Sequence, residues 1–168
     1  RIRPALLARA DSIGMLPLAL VVAPTGSGKS TLLAAWRRRL AERDAATAYL
    51  DLSPLHADAS VLAADLLEVA RHALPAFGAE TTAALTPSDA EAEPWRRIAR
   101  AWQIDARTAA APLVVFLDNF HELATDSPGA RLIDELLRAR IPQLGFVVAS
   151  RGSVPPVVAR LRSDGALV

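Results

Sequence analysis

One short run of residues carries the groups that hold a phosphate. The run is Ala23-Pro24-Thr25-Gly26-Ser27-Gly28-Lys29-Ser30-Thr31. Gly26 and Gly28 accept backbone angles that other residues avoid, which lets successive peptide N–H groups turn inward around phosphate oxygens. Lys29, the only lysine among 19 lysine and arginine residues, adds a compact charge for the outer phosphates. Ser30 offers its hydroxyl to a magnesium ion, and Thr31 follows as a second hydroxyl.

The spacing of this run is that of a P-loop. The pattern requires a small residue, four free positions, then Gly-Lys and Ser or Thr, between a strand and a helix. Residues 18–23 form the short apolar run expected of a buried strand, and apolar residues recur at helical spacing after the loop. The sequence therefore predicts an ATP- or ADP-binding loop, with the helix beginning near Lys29. An ordinary glycine turn before a helix is the alternative.

A second polar group follows the apolar run at residues 113–117. Asp118 emerges at the carboxyl end of this predicted strand, level with the P-loop, which is the Walker B arrangement. There it would hold magnesium together with Ser30, through water, because this ion keeps much of its hydration shell. A helix-capping or turn aspartate is the alternative for Asp118 considered alone.

Three further residues are candidates for chemistry at the γ-phosphate. Asn119, the only asparagine, stands where many ATPases place a second acid that orients or activates the attacking water. Because an amide cannot take a proton, we expect hydrolysis to be slow or to borrow Glu122. Arg151 follows the fourth predicted strand, where its guanidinium could meet the γ-phosphate and report its presence. With Asp118, these residues make up the predicted catalytic set.

Composition excludes several classes of protein. The 168 residues are 52% hydrophobic, which suits one domain with a sizeable core. Charged residues make up 22%, the net charge is +1, and no basic stripe suggests direct nucleic-acid contact. The absence of cysteine excludes disulfides and thiolate metal sites. The longest apolar run, residues 16–24, is about half of a membrane span, so we expect a domain that does not enter the membrane, and the lack of cysteine suits the reducing cytoplasm.

The alternation of predicted strands and helices favours an α/β fold. Strands are predicted at residues 18–23, 46–52, 113–117 and 146–149, with a last one beginning at Ala166. Asp58 is expected to cap one helix, and Ser127 with Pro128 to start another. Residues 75–93 lack a clear period and are predicted to be a loop. The whole predicts a P-loop NTPase, a parallel sheet of about five strands with helices on both faces and ligands at the strands' carboxyl ends.

The order of these motifs resembles the nucleotide-binding domain of signal-transduction ATPases with numerous domains (STAND), specifically the MalT-type ATPases of large LuxR-family transcriptional regulators. The resemblance covers nearly the whole chain. It is carried by Arg3-Pro4-Ala5-Leu6-Leu7, residues 23–36, Leu117-Asp118-Asn119-Phe120-His121, and Ser150-Arg151 followed by Pro155-Pro156 and Ala159-Arg160-Leu161-Arg162. The family normally has two aspartates where this chain has Asp118 and Asn119, a departure that bears on catalysis more than on binding.

The resemblance implies an ATP/ADP switch that uses Mg²⁺. Nucleotide state would rearrange this domain against a winged-helix domain and open a path to self-association. It further implies that Ile2 and Arg3 lie near adenine. The winged-helix, helical-repeat sensor and DNA-binding helix-turn-helix modules are not among these residues. We therefore expect residues 1–168 to be a single nucleotide-binding domain from a larger regulator.

Two other functions are compatible with the same motifs. One is an active P-loop enzyme, such as an AAA-type motor or a small-molecule kinase, in which turnover itself is the function. The amide at Asn119 argues against it. The other is an interaction module that keeps the fold without using nucleotide.

Overall fold

The computed structural model describes residues 18–86 and 92–152, together with Val154 and Pro156. Consecutive strands are separated by one or more helices along these ranges. In chain order they are β1 (Leu18–Val22), α1 (Lys29–Ala41), β2 (Ala46–Asp51), α2 (Ala59–Ala73), α3 (Ala79–Ala84), α4 (Pro94–Thr108), β3 (Leu113–Asp118), α5 (Pro128–Arg138) and β4 (Leu144–Ser150). Short 3₁₀ turns cover Pro54–Ala57 and Phe120–Glu122.

The four described strands form one parallel sheet in the order β1-β4-β3-β2. The strand that ends in Ser150 thus lies between the P-loop strand and the strand that ends in Asp118. All carboxyl ends meet at the same edge, with Val22 opposite Ser150 and Asp51 opposite Asp118. The predicted parallel α/β sheet is confirmed. The further strand expected at Ala166 lies outside the described residues.

Helices cover both faces of the sheet, as predicted. On one face, Leu33 and Trp36 of α1 belong to a buried cluster with Phe116 of β3. On the other face, side chains of α2, α4 and α5 pack with Val115 and Leu117. Every residue of β3 is buried. This strand needs a continuous apolar run because neither of its faces meets water.

The helix starts follow the expected capping chemistry. The Asp58 side chain accepts hydrogen bonds from the backbone N–H groups of Ser60 and Val61, and Ser127 accepts one from Ala130. These side chains satisfy donors that an α-helix leaves without an internal partner. Among the helices of the described ranges, none has both the length and the apolar character needed to cross a membrane.

The predicted loop at residues 75–93 is wrong in part, since α3 (Ala79–Ala84) lies within it. Asp105, buried on α4, accepts hydrogen bonds from the backbone N–H groups of Glu80 and Thr81 and from the Thr81 hydroxyl. This carboxylate caps α3 from another helix, so the stabilising contact is tertiary. A helix this short carries too few turns to show a period. Residues 87–91 lie outside the described ranges.

Candidate nucleotide-binding site

The predicted P-loop connects β1 to α1 and has the backbone geometry that requires glycine. Gly26 has φ +75° and Gly28 has φ +83°, both in the left-handed region. No heavy atom lies within 4 Å of the position that a Cβ would take at either residue. Backbone conformation rather than space therefore selects glycine here. Gly28 precedes α1 without a side-chain cap, which leaves the first N–H groups of that helix for an anion.

Lys29 folds back over the loop that precedes it. Its Nζ donates to the carbonyl oxygens of Ala23 at 2.7 Å and Pro24 at 2.8 Å, and the residue is only 9% exposed. The two carbonyls replace part of the water that a buried ammonium loses. The first turn of α1 contains no acidic residue of its own that would offset the positive end of the helix dipole. A charged phosphate oxygen would be a stronger acceptor than either carbonyl.

Ser30 and Asp118 meet directly. The Ser30 hydroxyl donates to Asp118 Oδ2 at 2.8 Å, and Asp118 is 2% exposed. A hydroxyl and a carboxylate are the hard oxygen ligands that Mg²⁺ prefers, and a nearly fully buried carboxylate gains from a counter-charge. The two residues therefore fit the magnesium ion that the sequence predicts.

Tyr49 of β2 is a member of this site that sequence reasoning missed. Its hydroxyl donates to Asp118 Oδ2 at 3.1 Å, and the Arg37 guanidinium lies 5.1 Å from the centre of its ring. The pKa of Tyr49 is raised from 10.0 to about 12 by burial first, then by the charge of Asp118 and the hydrogen bond to it, against a lowering by Arg37. The phenol therefore stays a proton donor throughout the physiological range.

The side chain of Asn119 is hydrogen-bonded to Asp51, a residue that the sequence did not point to. Its backbone is in the left-handed region at φ +54°, and its backbone N–H donates to Asp118 Oδ1 at 2.8 Å. Its side-chain Nδ2 donates to Asp51 Oδ1 at 2.7 Å. Asp51 ends β2 directly opposite Asp118, and this in-register pairing brings it beside the predicted site. Because the register of two strands is a tertiary property, the sequence carried no signal for Asp51.

Glu122 pairs with the histidine that precedes it in the sequence. It lies in the 3₁₀ turn after β3, where its Oε1 is 3.2 Å from Nε2 of His121. Its side chain is 40% exposed. The role of Glu122 as the acid that takes the water's proton in place of Asn119 stays a prediction.

Arg151 is exposed at the carboxyl end of β4. The Ala23 N–H donates to the Ser150 carbonyl at 3.4 Å, so Arg151 directly follows a residue that touches the start of the P-loop. Because β4 lies between β1 and β3, Arg151 follows a strand that ends between the P-loop and Asp118. The adenine-side residues Ile2 and Arg3, and the run from Ala159 to Arg162, lie outside the described residues.

The parallel sheet, the glycine-dependent loop and the strand-end aspartate joined to the loop serine together define the P-loop ATPase fold. Comparison with protein families agrees, since the model of the AAA ATPase domain matches residues 4–148. The chain belongs to the AAA ATPase domain family. A search of curated proteins finds no match.

Solved structures with the same fold are distant in sequence. A chain of the Drosophila ORC complex bound to AT-rich DNA and Cdc6 aligns with a TM-score of 0.54 at 13% identity, covering 98% of this chain and 54% of that one. Thermomonospora curvata EccC (ATPases 2 and 3) in complex with a signal sequence peptide aligns with a TM-score of 0.53 at 20% identity, covering 92% and 29%. The cytoplasmic domain of the type VII secretion ATPase EccC from the same organism gives 0.52 at 20%, covering 90% and 19%. This chain spans between 19% and 54% of these three chains, and the likeness concerns the fold alone.

Proposed function

We propose that this domain binds ATP or ADP with Mg²⁺ and acts as a nucleotide-dependent switch that hydrolyses ATP slowly at most. The observation that carries the proposal is the 2.8 Å hydrogen bond between Ser30 and Asp118. It brings the hydroxyl and the carboxylate of two separate motifs to the edge of the sheet where Lys29 and the start of α1 supply positive charge. Membership of the AAA ATPase domain family supports the same ligand class.

Each part of the site has a proposed role. Residues 23–31 surround the phosphates, with backbone N–H groups and the Lys29 ammonium as donors. Lys29 would exchange its two carbonyl partners for phosphate oxygens. Ser30 and Asp118 hold the magnesium ion, which neutralises phosphate charge when it is bound. Arg151 distinguishes ATP from ADP because only ATP offers a γ-phosphate to its guanidinium.

We further propose the regulatory setting of the domain. The resemblance of Ser150-Arg151 and the residues after it to the MalT-type STAND ATPases supports a nucleotide-binding domain of a large, cytoplasmic LuxR-family transcriptional regulator. In that setting residues 1–168 are one domain whose partners are a winged-helix domain, a helical-repeat sensor and a DNA-binding domain of the same polypeptide. The ATP-bound form would self-associate.

A binding measurement tests the core of the proposal. We expect titration calorimetry with Mg-ATP and Mg-ADP to show that Lys29→Ala weakens both by at least about tenfold, because a charged hydrogen bond is worth roughly 1.5–3 kcal/mol. Arg38→Ala is the matched control, since it removes a cation from an exposed position of the same helix. Equal affinities for the chain and for Lys29→Ala would defeat the proposal.

The competing functions make different predictions in two simple assays. Rapid basal hydrolysis, or phosphoryl transfer to a small acceptor, would favour an active enzyme over a switch. A nucleotide-independent interaction module would show no rise in melting temperature with millimolar Mg-ATP or Mg-ADP. A binding domain must show one, since a ligand at a hundred times its Kd stabilises the folded state by about 2.7 kcal/mol.

A further inference from the structure

The hydroxyl groups of Tyr49 and Ser30 donate to the same oxygen of Asp118. Ser30 donates to Oδ2 at 2.8 Å and Tyr49 donates to it at 3.1 Å, while the Asn119 backbone N–H donates to Oδ1 at 2.8 Å. A carboxylate oxygen has about two acceptor positions, so the two hydroxyls fill Oδ2. These donors are all neutral, and they therefore solvate the buried charge without cancelling it.

The tyrosine reaches Asp118 along the strand pair rather than straight across it. Tyr49 of β2 is in register with Phe116 of β3, and both pack in the cluster that lies against α1. Phe116 and Asp118 share a face of β3, because side chains two apart in a strand point the same way. The length of the phenol side chain thus carries its hydroxyl from opposite Phe116 to the end of the strand. A phenylalanine would fill the same space without the donor.

The ring of Tyr49 has a second contact that does not involve its hydroxyl. The Arg37 guanidinium carbon lies 5.1 Å from the ring centre. Within the part of the chain that the structure describes, the buried Nε of Arg37 has no hydrogen-bond acceptor, and the electron-rich face of the ring is the group beside it. Arg37 lies about two turns after Ser30 on the same side of α1. The ring is therefore held independently of Asp118.

We propose that Tyr49 is a positioning residue whose hydroxyl holds the place of magnesium, occupying Asp118 Oδ2 in the nucleotide-free domain and leaving that oxygen when Mg-ATP binds. The inference rests on the proposed function and concerns how its metal site is kept ready. Ser30 Oγ is 2.8 Å from Oδ2, so the carboxylate oxygen available to an ion held by both residues is this same one. The Ser30 hydroxyl can still donate to Oδ2 while its lone pairs face the ion. The Tyr49 hydroxyl has no such second role, which makes it the donor that leaves.

This exchange has opposite effects on the free and on the loaded domain. Without the ion, the Tyr49 hydroxyl stabilises a carboxylate that is only 2% exposed. With Mg²⁺ bound, Asp118 has a counter-charge and no longer needs this donor. A contact present only in the free state lowers the affinity for the ligand that removes it. Tyr49 therefore stabilises the free domain and weakens the binding of Mg-ATP.

The test compares the whole 168-residue chain with Tyr49→Phe, which keeps the ring beside Arg37. We expect Tyr49→Phe to bind Mg-ATP about tenfold more tightly by calorimetry, because a hydrogen bond to a charged group is lost from the free state alone. In excess EDTA the two chains should bind ATP equally. The melting temperature of nucleotide-free Tyr49→Phe should be lower than that of the natural chain.

Thr81→Val is the matched control for the loss of a hydroxyl. Thr81 is buried, and its hydroxyl donates to the buried carboxylate of Asp105 at 2.6 Å. Its replacement should also lower the melting temperature, because a donor to a buried charge is removed. The affinity for Mg-ATP should not change, since Asp105 caps α3 and takes no part in the proposed site.

A second measurement needs no substitution. Tyr49 is the only tyrosine of the chain, so labelling tyrosine with ¹³C at Cζ gives a single nuclear magnetic resonance signal that reports the hydrogen bonding of the phenol. We expect Mg-ATP to move this signal toward its position in the urea-unfolded chain, where water solvates the hydroxyl. ATP in excess EDTA should leave it near its position in the free domain.

Two results would overturn the inference. One is an affinity of Tyr49→Phe for Mg-ATP that is equal to or below that of the natural chain, because the hydroxyl would then be neutral or helpful to the metal site. The other is a tyrosine signal that Mg-ATP leaves in place, and this result stands even if Tyr49→Phe fails to fold. Failure of the natural chain to bind Mg-ATP at all would instead defeat the proposed function.

Discussion

The hydroxyl of Ser30 and the carboxylate of Asp118 are joined by a 2.8 Å hydrogen bond across 88 positions of sequence. The serine lies in the first turn of α1, and the aspartate ends a strand that is not adjacent to the P-loop strand, because β4 lies between them. Asp118 Oδ2 accepts a hydrogen bond from the Tyr49 hydroxyl of β2 as well. Hydrogen bonds to this buried carboxylate of β3 therefore connect side chains of α1 and β2.

Removal of the Asp118 charge should affect magnesium-dependent binding most. We expect Asp118→Asn to weaken ATP binding in the presence of Mg²⁺ by about tenfold or more, with a much smaller change in excess EDTA, because it removes a charged ligand of the ion. Calorimetric titration in both buffers checks this. Asp126→Asn, which changes an exposed acid beyond the end of β3, is the control. Equal losses with and without magnesium would show that Asp118 does not act through the metal.

The single tyrosine of the chain makes the ionisation of Tyr49 directly measurable. The pKa of its phenol is raised from 10.0 to about 12, so ultraviolet absorbance should show little tyrosinate in the folded protein at pH 10.5. Since the folded-state pKa is the higher one, the stability associated with this proton is complete below pH 10.0 and declines as the pH rises toward 12. In Asp118→Asn the pKa should fall, because a charge and a hydrogen-bond acceptor that raise it are gone. Titration near 10 in the folded natural chain would contradict this.

Replacing either of two glycines by alanine should destabilise the protein, but for different physical reasons. Gly28→Ala meets no atom within 4 Å, but at φ +83° it should cost about 1–2 kcal/mol of folding free energy from backbone strain and also weaken Mg-ATP binding. Gly129→Ala places its Cβ against the His56 carbonyl oxygen, so it should reduce the free energy of unfolding without acting on the P-loop. Urea unfolding and calorimetry separate the two effects. Normal Mg-ATP affinity in a folded Gly28→Ala variant would argue against the P-loop geometry described above.

Arg151 should distinguish the two nucleotides. We expect Arg151→Ala to weaken Mg-ATP by about tenfold and Mg-ADP much less, because only ATP offers a γ-phosphate to the guanidinium. Arg151→Lys, which keeps the charge but loses the planar fork, should lie between the natural chain and the alanine variant. An equal loss for both nucleotides would remove the proposed sensing role.

Much of the fold could be predicted because its signals are local. The continuous apolar run at β3 predicts a strand that is buried on both faces, and the capping residues Asp58 and Ser127 satisfy helix donors within their own segments. Helix α3 could not be predicted in this way. Its cap is a carboxylate contributed by Asp105, more than twenty residues further along the chain.

The sequence by itself determined the proposed phosphate-binding groups, since Gly26, Gly28 and Lys29 would act through backbone conformation and charge within a few consecutive residues. Only the tertiary structure decided which side chains face Asp118 and Asn119. Tyr49 and Asp51 come to them through the register of β2 against β3, and that register is set by packing of whole strands rather than by any local pattern.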